Sequence, residues 1–168
     1  MNADELRALQ APIKEQYRTT PESAMVTFHA KGTVHQDRLL CDVPTHAGLA
    51  HAGLHPAAGG NGREACSGDM LLESLVACAG VTLSAVATAM AIPIRSAEIH
   101  AEADLDFRGT LGIDRSVPVG VQSVRLRFEI QSDADAAAIK KLVELTERYC
   151  VIYQTLKNPP KLETVQVA

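Results

Sequence analysis

The sequence predicts an α/β (α+β) domain in which helices pack against a mixed or antiparallel sheet. Residues 94–107 and 121–131 alternate apolar and polar side chains with the period of two that a half-buried strand requires. A long, largely apolar helix is predicted before them, over residues 68–91, and an amphipathic helix after them, over residues 133–149. Because apolar helix and strand faces must cover each other, this arrangement favours one shared core.

The two alternating strands are predicted to pair with each other. The polar face of the first strand comprises Glu98, His100, Glu102, Asp104 and Asp106. The polar face of the second strand presents Arg125 and Arg127, so we expect these arginines to meet the acidic side chains of the first strand.

The segment before the long helix predicts another helix, a hairpin and a loop. Residues 3–18 carry apolar side chains at helical spacing, and we expect Pro12 to break or kink that helix. Residues 24–35 and 38–43 predict the two strands of a hairpin. Residues 44–66 contain five glycines and two prolines and predict a long loop.

The C-terminal part of the chain predicts a shorter helix over residues 151–157 and a last strand over residues 161–167. We expect the chain to divide into an N-terminal helical extension, residues 1–23, and a single domain, residues 24–168.

The composition is that of a globular protein. The net charge of -4 leaves no excess of basic residues that would indicate nucleic acid as a partner. The N-terminal segment mixes acidic and basic side chains without an apolar run, so we expect no signal peptide and a cytoplasmic location. Four cysteines are too few to hold 168 residues together by disulfides, so each requires its own explanation as core filler, metal ligand or reactive thiol.

The uncharged stretch over residues 74–94 is long enough to span a bilayer. It is rich in Ala, Ser and Thr, follows Glu73 and is interrupted by Pro93, so we interpret it as a core helix and expect no membrane span. The chain has no Trp, three Phe and three Tyr, and so small a domain can hardly bury a helix that is apolar on every side. We therefore expect an obligate homodimer.

Two cysteines lie on the long helices, Cys78 in the middle of the apolar one and Cys150 at the end of the amphipathic one. Either cysteine by itself fits a core residue, because a free cysteine packs like a small hydrophobic side chain. Together they also fit a peroxidatic pair, in which one thiolate attacks an O–O bond, becomes a sulfenic acid and condenses with the second thiol. That chemistry requires a neighbour that lowers the pKa of the attacking thiol.

Two segments of the sequence resemble the OsmC/Ohr family. The segment SGDMLLESLVACAGVTL, around Cys78, resembles the central-helix motif P-x-E-L-L-x-A-x-x-x-C. The segment ERYCVIYQTLKN, around Cys150, resembles the second motif, E-K-x-C-P-V-S-x-x-L. The ordered pair of motifs is specific in this context of strands and helices, and the resemblance covers residues 24–167.

The resemblance implies a fold in which sheets wrap around the central helices of an intertwined homodimer, with two active sites at the interface. It implies a thiol-dependent peroxidase in which Cys78 attacks an organic hydroperoxide and Cys150 resolves the product as a disulfide. An external dithiol would restore both thiols, and no cofactor and no metal are expected. The apolar side chains around Cys78 would favour alkyl or lipid hydroperoxides over hydrogen peroxide.

The chain departs from the family pattern at several positions. Ser67 or Gly68 replaces the proline before the acidic residue, and Val151 replaces the proline after the second cysteine. The family glutamate most nearly corresponds to Asp69, and Glu73 is the competing candidate. These departures indicate a divergent subgroup.

The resemblance also implies an arginine that stabilises the thiolate and orients the peroxide. Arg38 and Arg63 are the candidates, and each also fits a solvated surface charge. Because a carboxylate raises the pKa of a neighbouring thiol, the useful role of Asp69 or Glu73 is to hold that arginine. The alternative for Asp69 is to cap its helix.

Two other functions also fit these residues. One is a non-catalytic protein that binds an apolar ligand at the dimer interface and keeps both cysteines reduced. The other is zinc binding by a loop rich in thiols and imidazoles, against which the irregular spacing argues. The candidate loop ligands are Cys41, His46, His51, His55 and Cys66. Cys66 is in addition a second candidate for the resolving thiol.

Overall fold

The computed structural model describes residues 1–167, which form helices and strands in a mixed α+β arrangement. The helices are α1 (Ala3–Thr19), α2 (Ser67–Ala89), α3 (Phe107–Thr110), α4 (Ala136–Tyr149) and α5 (Val151–Lys157). The strands are β1 (Thr33–His35), β2 (Leu40–Thr45), β3 (Gly48–Gly53), β4 (Ala65–Cys66), β5 (Ile94–Asp104) and β6 (Ser123–Ser132). The predicted fold class is confirmed.

The strands of the described residues form two sheets. In the first, ordered β1–β2–β3–β4, the β1–β2 and β2–β3 pairs are antiparallel and the β3–β4 pair is parallel. The predicted hairpin is present as β1 and β2, with Val34 opposite Cys41. The second sheet pairs β5 with β6, as the alternating patterns predicted.

The chain divides into two compact units. One comprises residues 1–8, 74–100 and 127–167, and the other comprises residues 9–73 and 101–126. The predicted division into an N-terminal extension and a single domain stays a prediction.

The first unit has a small core on one face of α2. Leu83 and Ala87 of α2 are buried together with Leu142 of α4. Partly buried apolar side chains surround them: Val86, Met90, Ile92, Ile94, Ile99, Phe128, Ile130 and Ile139. Burial along α2 recurs at every fourth residue, at Leu75, Ala79, Leu83 and Ala87. The single chain thus covers one stripe of this helix and leaves other apolar residues accessible, Val81 being 73% exposed.

Within residues 1–167, α2 alone has the length and composition to cross a membrane, with a mean hydropathy of 1.8 over its most apolar window. The core helix of a soluble protein has the same length and composition, so this property is weak evidence for a membrane span.

The helices differ little from the predicted ones. The predicted break at Pro12 is wrong, because α1 continues past the one missing backbone hydrogen bond, and the alternative of a kink there stays a prediction. Helix α4 begins at Ala136 instead of residue 133, because the Asp135 carboxylate accepts a hydrogen bond from the Ala138 N–H at 2.7 Å and caps the helix there. Helix α5 has the predicted bounds.

The observed strands differ more from the predicted ones than the helices do. Residues 24–32 and 161–167 have strand-like sequences, but the described chain contains no pairing for them, so both strand predictions are wrong there. A strand forms only where a neighbour satisfies its backbone N–H and C=O groups. Conversely, β3 lies in the predicted loop, and its Gly- and Ala-rich sequence becomes a strand because it pairs with β2 along five residue pairs.

The predicted charge pairing between β5 and β6 holds for one of the two arginines. The Arg125 guanidinium is hydrogen-bonded to Asp104 and lies 3.3 Å from Glu102. Arg127 instead lies 3.0 Å from Glu129 of its own strand, so the predicted partner of Arg127 is wrong. Residues two apart on a strand share a face, which places Glu129 within reach of Arg127.

Candidate active site

The fold brings the two cysteines of the sequence motifs together. Cys78 lies in the fourth turn of α2 and is half-buried, whereas Cys150 lies between α4 and α5 and is completely buried. Both are free thiols, and their sulfurs lie within hydrogen-bonding reach of each other. Residue periodicity could place both cysteines on helices, but only the packing of those helices makes them neighbours.

The turn between α4 and α5 aims backbone N–H groups at both sulfurs. Cys150 has an extended backbone conformation, with φ -71° and ψ 110°, so it ends α4 and begins α5. The first N–H groups of a helix have no carbonyl partner within the helix. The Tyr153 N–H donates to the Cys150 sulfur at 3.5 Å, and the N–H groups of Ile152 and Val151 are directed to the Cys78 sulfur.

These donors act on the acidity of Cys78. Burial raises the pKa of the Cys78 thiol, but hydrogen bonding from the Ile152 N–H, the Cys150 thiol and other neutral donors outweighs burial and leaves the pKa below its ordinary value. The other donors are the Val151 N–H and the Thr82 hydroxyl. A thiolate at position 78 is therefore stabilised by neutral hydrogen-bond donors whose dipoles point at its sulfur.

Cys150 is shifted in the opposite direction. Burial raises the pKa of the Cys150 thiol, and the neighbouring Cys78 thiolate raises it further, while the Tyr153 N–H offsets only part of the effect. Cys78 therefore loses its proton at a lower pH than Cys150. The pair is arranged as a thiolate that accepts a hydrogen bond from a neighbouring thiol.

A second set of contacts fixes the α4–α5 corner, the turn in which Cys150 lies. The Gln154 side chain of α5 donates to the Glu147 carbonyl oxygen of α4 at 2.8 Å. Burial raises the pKa of the Tyr153 phenol, and the charge of the hydrogen-bonded Glu147 carboxylate adds to this effect. These bonds join the last turn of α4 to the first turn of α5 and fix where the backbone donors point.

The chain is similar to known proteins in both sequence and structure. The sequence profile described as "OsmC-like protein" matches residues 60–165, which include both cysteines. The chain belongs to the OsmC-like family. No curated protein matches the sequence.

Solved structures share the fold of this OsmC-like protein at low identity. An OsmC-like protein from Mycoplasma pneumoniae is 18% identical, with 80% of this chain and 89% of that chain covered and a TM-score of 0.66. An organic hydroperoxide resistance protein from Elizabethkingia anophelis, solved with thiocyanate bound, is 14% identical (80% and 91% covered, TM-score 0.63). The organic hydroperoxide resistance protein OhrB of Bacillus subtilis is 20% identical (79% and 93% covered, TM-score 0.54). At these identities the likeness establishes the fold.

The four acidic and basic candidates all belong to the second compact unit of this OsmC-like protein, and the cysteine pair belongs to the first. Asp69 and Glu73 are exposed in the first two turns of α2, about 13 Å and 7.5 Å from Cys78 along the helix axis at the usual rise per residue. Arg38 follows β1 and lies 4.0 Å from Asp37. Arg63 precedes β4, and its N–H donates to the Asn61 side chain at 2.7 Å.

None of these four residues is among the groups that lower the pKa of Cys78 in residues 1–167, which are all neutral. Their proposed roles stay predictions. Sequence reasoning missed Thr82, although its position four residues after Cys78 on a helix was a usable signal. It also missed the backbone donors, for which no side-chain pattern exists.

Two of the three loop histidines, His51 and His55, have partners of their own. His51 lies 2.6 Å from the Asp42 carboxylate, and the ring of His55 stacks on Phe107 with ring centres 5.0 Å apart. His55 also accepts a hydrogen bond from the Ala57 N–H at 3.0 Å.

We expect Val151→Pro to raise the pKa of Cys78, because proline removes one of the backbone donors to the thiolate. The substitution restores the family proline, and proline fits the first position of a helix after an extended residue such as Cys150. The rate of Cys78 alkylation by iodoacetamide at neutral pH should fall about three- to tenfold, since a hydrogen bond to a charged group is lost. Peptide mass analysis across a pH series measures this rate.

The matched control is Val151→Ala, which keeps the N–H and should leave the alkylation profile in place. An unchanged profile in Val151→Pro would show that this donor has no influence on Cys78.

Proposed function

We propose that this OsmC-like protein is a thiol-dependent peroxidase that reduces organic hydroperoxides. The observation that carries the proposal is a pair of free thiols within hydrogen-bonding reach whose pKa values are shifted in opposite directions. A peroxidase needs one nucleophilic thiolate and one protonated thiol beside it. Two proteins that share the fold are named organic hydroperoxide resistance proteins, which supports the same reading.

The proposed reaction proceeds in balanced steps. The Cys78 thiolate attacks one peroxide oxygen of ROOH, the O–O bond breaks, and the alkoxide takes a proton and leaves as ROH. Cys78 is then a sulfenic acid. The Cys150 sulfur attacks the Cys78 sulfur, the S–S bond forms, and the hydroxide leaves with the Cys150 proton as water. An external dithiol reduces the disulfide and is itself oxidised to a disulfide.

The surroundings of Cys78 support an organic substrate. No residue of α2 after Glu73 carries a formal charge, so the helix offers the peroxide an apolar approach. An alkyl or lipid hydroperoxide gains free energy from burying its apolar part there, and hydrogen peroxide does not.

A direct test uses the fully reduced chain and one equivalent of tert-butyl hydroperoxide. Two of the four thiols should disappear per chain, with formation of tert-butanol and of a peptide cross-link between Cys78 and Cys150. If all four thiols and the hydroperoxide remain, the peroxidase proposal is wrong.

In that case the non-catalytic alternative gains support, since one observation favours it. Helix α2 and strand β5 border an open cavity of about 440 Å³, lined by apolar residues such as Leu83, Ile94 and Ile99 together with the hydroxyl-bearing Ser84 and Thr88. Cavities of this size accommodate small apolar ligands.

The active protein is proposed to be an obligate homodimer. The single chain has a solvent-accessible surface of 12564 Å², whereas a typical folded monomer of 17.9 kDa has about 8,000 Å². Large apolar side chains are part of this exposed surface, among them Met25, Val26, Phe28, Leu162, Val165 and Val167. A second copy of the chain would cover these side chains and the open face of α2.

We expect the purified chain to have twice the mass of a single chain in solution at micromolar concentration. Val81→Glu, on the open face of α2, should break the dimer, because it places an unpaired charge in the interface. In a monomer the same residue faces water, and the change would have little effect. Light scattering after size exclusion distinguishes the outcomes, and a monodisperse wild-type monomer would rule the dimer out.

A further inference from the structure

A second cluster of chemically reactive side chains lies on the polar face of the β5–β6 sheet. Glu98 and His100 are two residues apart on β5 and therefore share that face, and Glu129 joins them from β6. The His100 Nε2 atom lies 3.6 Å from Glu98 Oε2 and 3.8 Å from Glu129 Oε1. These separations are longer than hydrogen bonds, so the imidazole is near both carboxylates without being bonded to either.

The His100 Nε2 atom is inaccessible to solvent and has no hydrogen-bond partner in residues 1–167. A buried polar atom without a partner costs free energy, and proteins rarely leave one unless an ion or a water completes the site. The side chains around this atom are open, with His100 40%, Glu98 75% and Glu129 51% exposed, so small side-chain rotations would let an ion reach the nitrogen from the polar face.

The spacing of the three ligand atoms fits one metal ion. The three atoms all lie within 4.8 Å of one another. Ligands about 2.1 Å from a common ion lie about 3.0–3.4 Å apart in octahedral or tetrahedral geometry. The two separations from His100 Nε2 need to shorten by less than about 1 Å to complete the coordination, and the two carboxylates would move toward each other as well. Both glutamates are exposed enough for these side-chain rotations.

We propose that Glu98, His100 and Glu129 form a binding site for one divalent transition-metal ion. Two carboxylates and a neutral imidazole balance the charge of such an ion. The imidazole favours Zn²⁺ and its neighbours among the first-row metals over Mg²⁺ and Ca²⁺, which prefer oxygen ligands. Three protein ligands on an exposed face leave at least one position for water.

Arg127 is the competing cation at this site. Its guanidinium lies 3.0 Å from Glu129 Oε1, the same oxygen that faces His100. An arriving ion must share Glu129 with Arg127 or displace it. Arg127→Gln is therefore expected to tighten metal binding, which a merely structural cluster of charges would not do.

The test is a Co²⁺ titration of the untagged, metal-free protein. The absorption spectrum of bound Co²⁺ identifies its ligands, because thiolate ligands add intense charge-transfer bands that nitrogen and oxygen ligands lack. Binding at the cysteines is therefore distinguished from binding at the Glu98–His100–Glu129 site. We expect one Co²⁺ per chain without thiolate bands, half-saturated below about 100 µM. His100→Gln and Glu129→Gln should weaken binding at least about tenfold.

The matched control is His46→Gln, which removes an exposed histidine from the turn between β2 and β3 and should leave binding intact. Glu98→Gln, at the most exposed ligand, provides a second test if His100→Gln fails to fold. Three results would overturn the proposal. They are the absence of saturable binding below about 1 mM Co²⁺, thiolate bands that accompany all binding, or ligand variants that bind Co²⁺ like the wild type. The result is independent of peroxidase activity.

Discussion

Cys78→Ser is expected to abolish turnover of an organic hydroperoxide, with a loss of at least about a thousandfold. A serine hydroxyl is not ionised at neutral pH, and the donors around position 78 cannot compensate for the loss of a thiolate. Consumption of tert-butyl hydroperoxide in the presence of a dithiol measures the effect. The backbone donors of Val151 and Ile152 do not depend on the side chain at position 78, so the fold should be retained.

Cys41→Ser is the matched control, because Cys41 lies on β2 and has no part in the proposed reaction. It should keep wild-type turnover. Wild-type turnover in Cys78→Ser would remove Cys78 from the mechanism and return it to the role of a core residue.

Cys150→Ser is expected to permit one turnover and then to stop. Cys78 would reach the sulfenic acid and release the alcohol, but no neighbouring thiol would condense with it. Excess hydroperoxide should then drive Cys78 to the sulfinic acid, which thiols do not reduce. Rapid-mixing kinetics would show a burst of one alcohol per chain, and peptide mass analysis would identify the over-oxidised Cys78.

Cys66→Ser distinguishes the two candidates for the resolving thiol. If Cys150 resolves, Cys66→Ser should turn over normally and Cys150→Ser should over-oxidise. The reverse pattern would assign the resolving role to Cys66. Serine at position 150 can still accept the Tyr153 N–H, so the α4–α5 corner should survive, and circular dichroism checks this point.

The sequence predicted the helices well because helical order is local. The bounds of α5 agree with the prediction, and those of α2 differ by two residues or fewer. The apolar spacing of Ile139 and Leu142 identified the face of α4 that packs in the core.

Strands were predicted less well because pairing is not local. Residues 24–32 have the composition of a strand and remain unpaired in the described chain, whereas β3 has a poor strand sequence and pairs with β2. Propensity describes what one segment tolerates, and a sheet also needs a partner at the right place. Propensity likewise cannot show which exposed residues a second copy of the chain would cover.

The sequence by itself determined the family, the fold class and which two cysteines form the candidate pair, because all three depend on residue identity and spacing. Only the tertiary structure decided that Cys78 and Cys150 lie within hydrogen-bonding reach of each other, that backbone N–H groups lower the pKa of one thiol, and that burial raises the pKa of the other. It likewise decided that His100 stands between two glutamates. A pKa depends on dipoles, charges and solvent within a few ångströms, and those neighbours are set by how helices and strands pack.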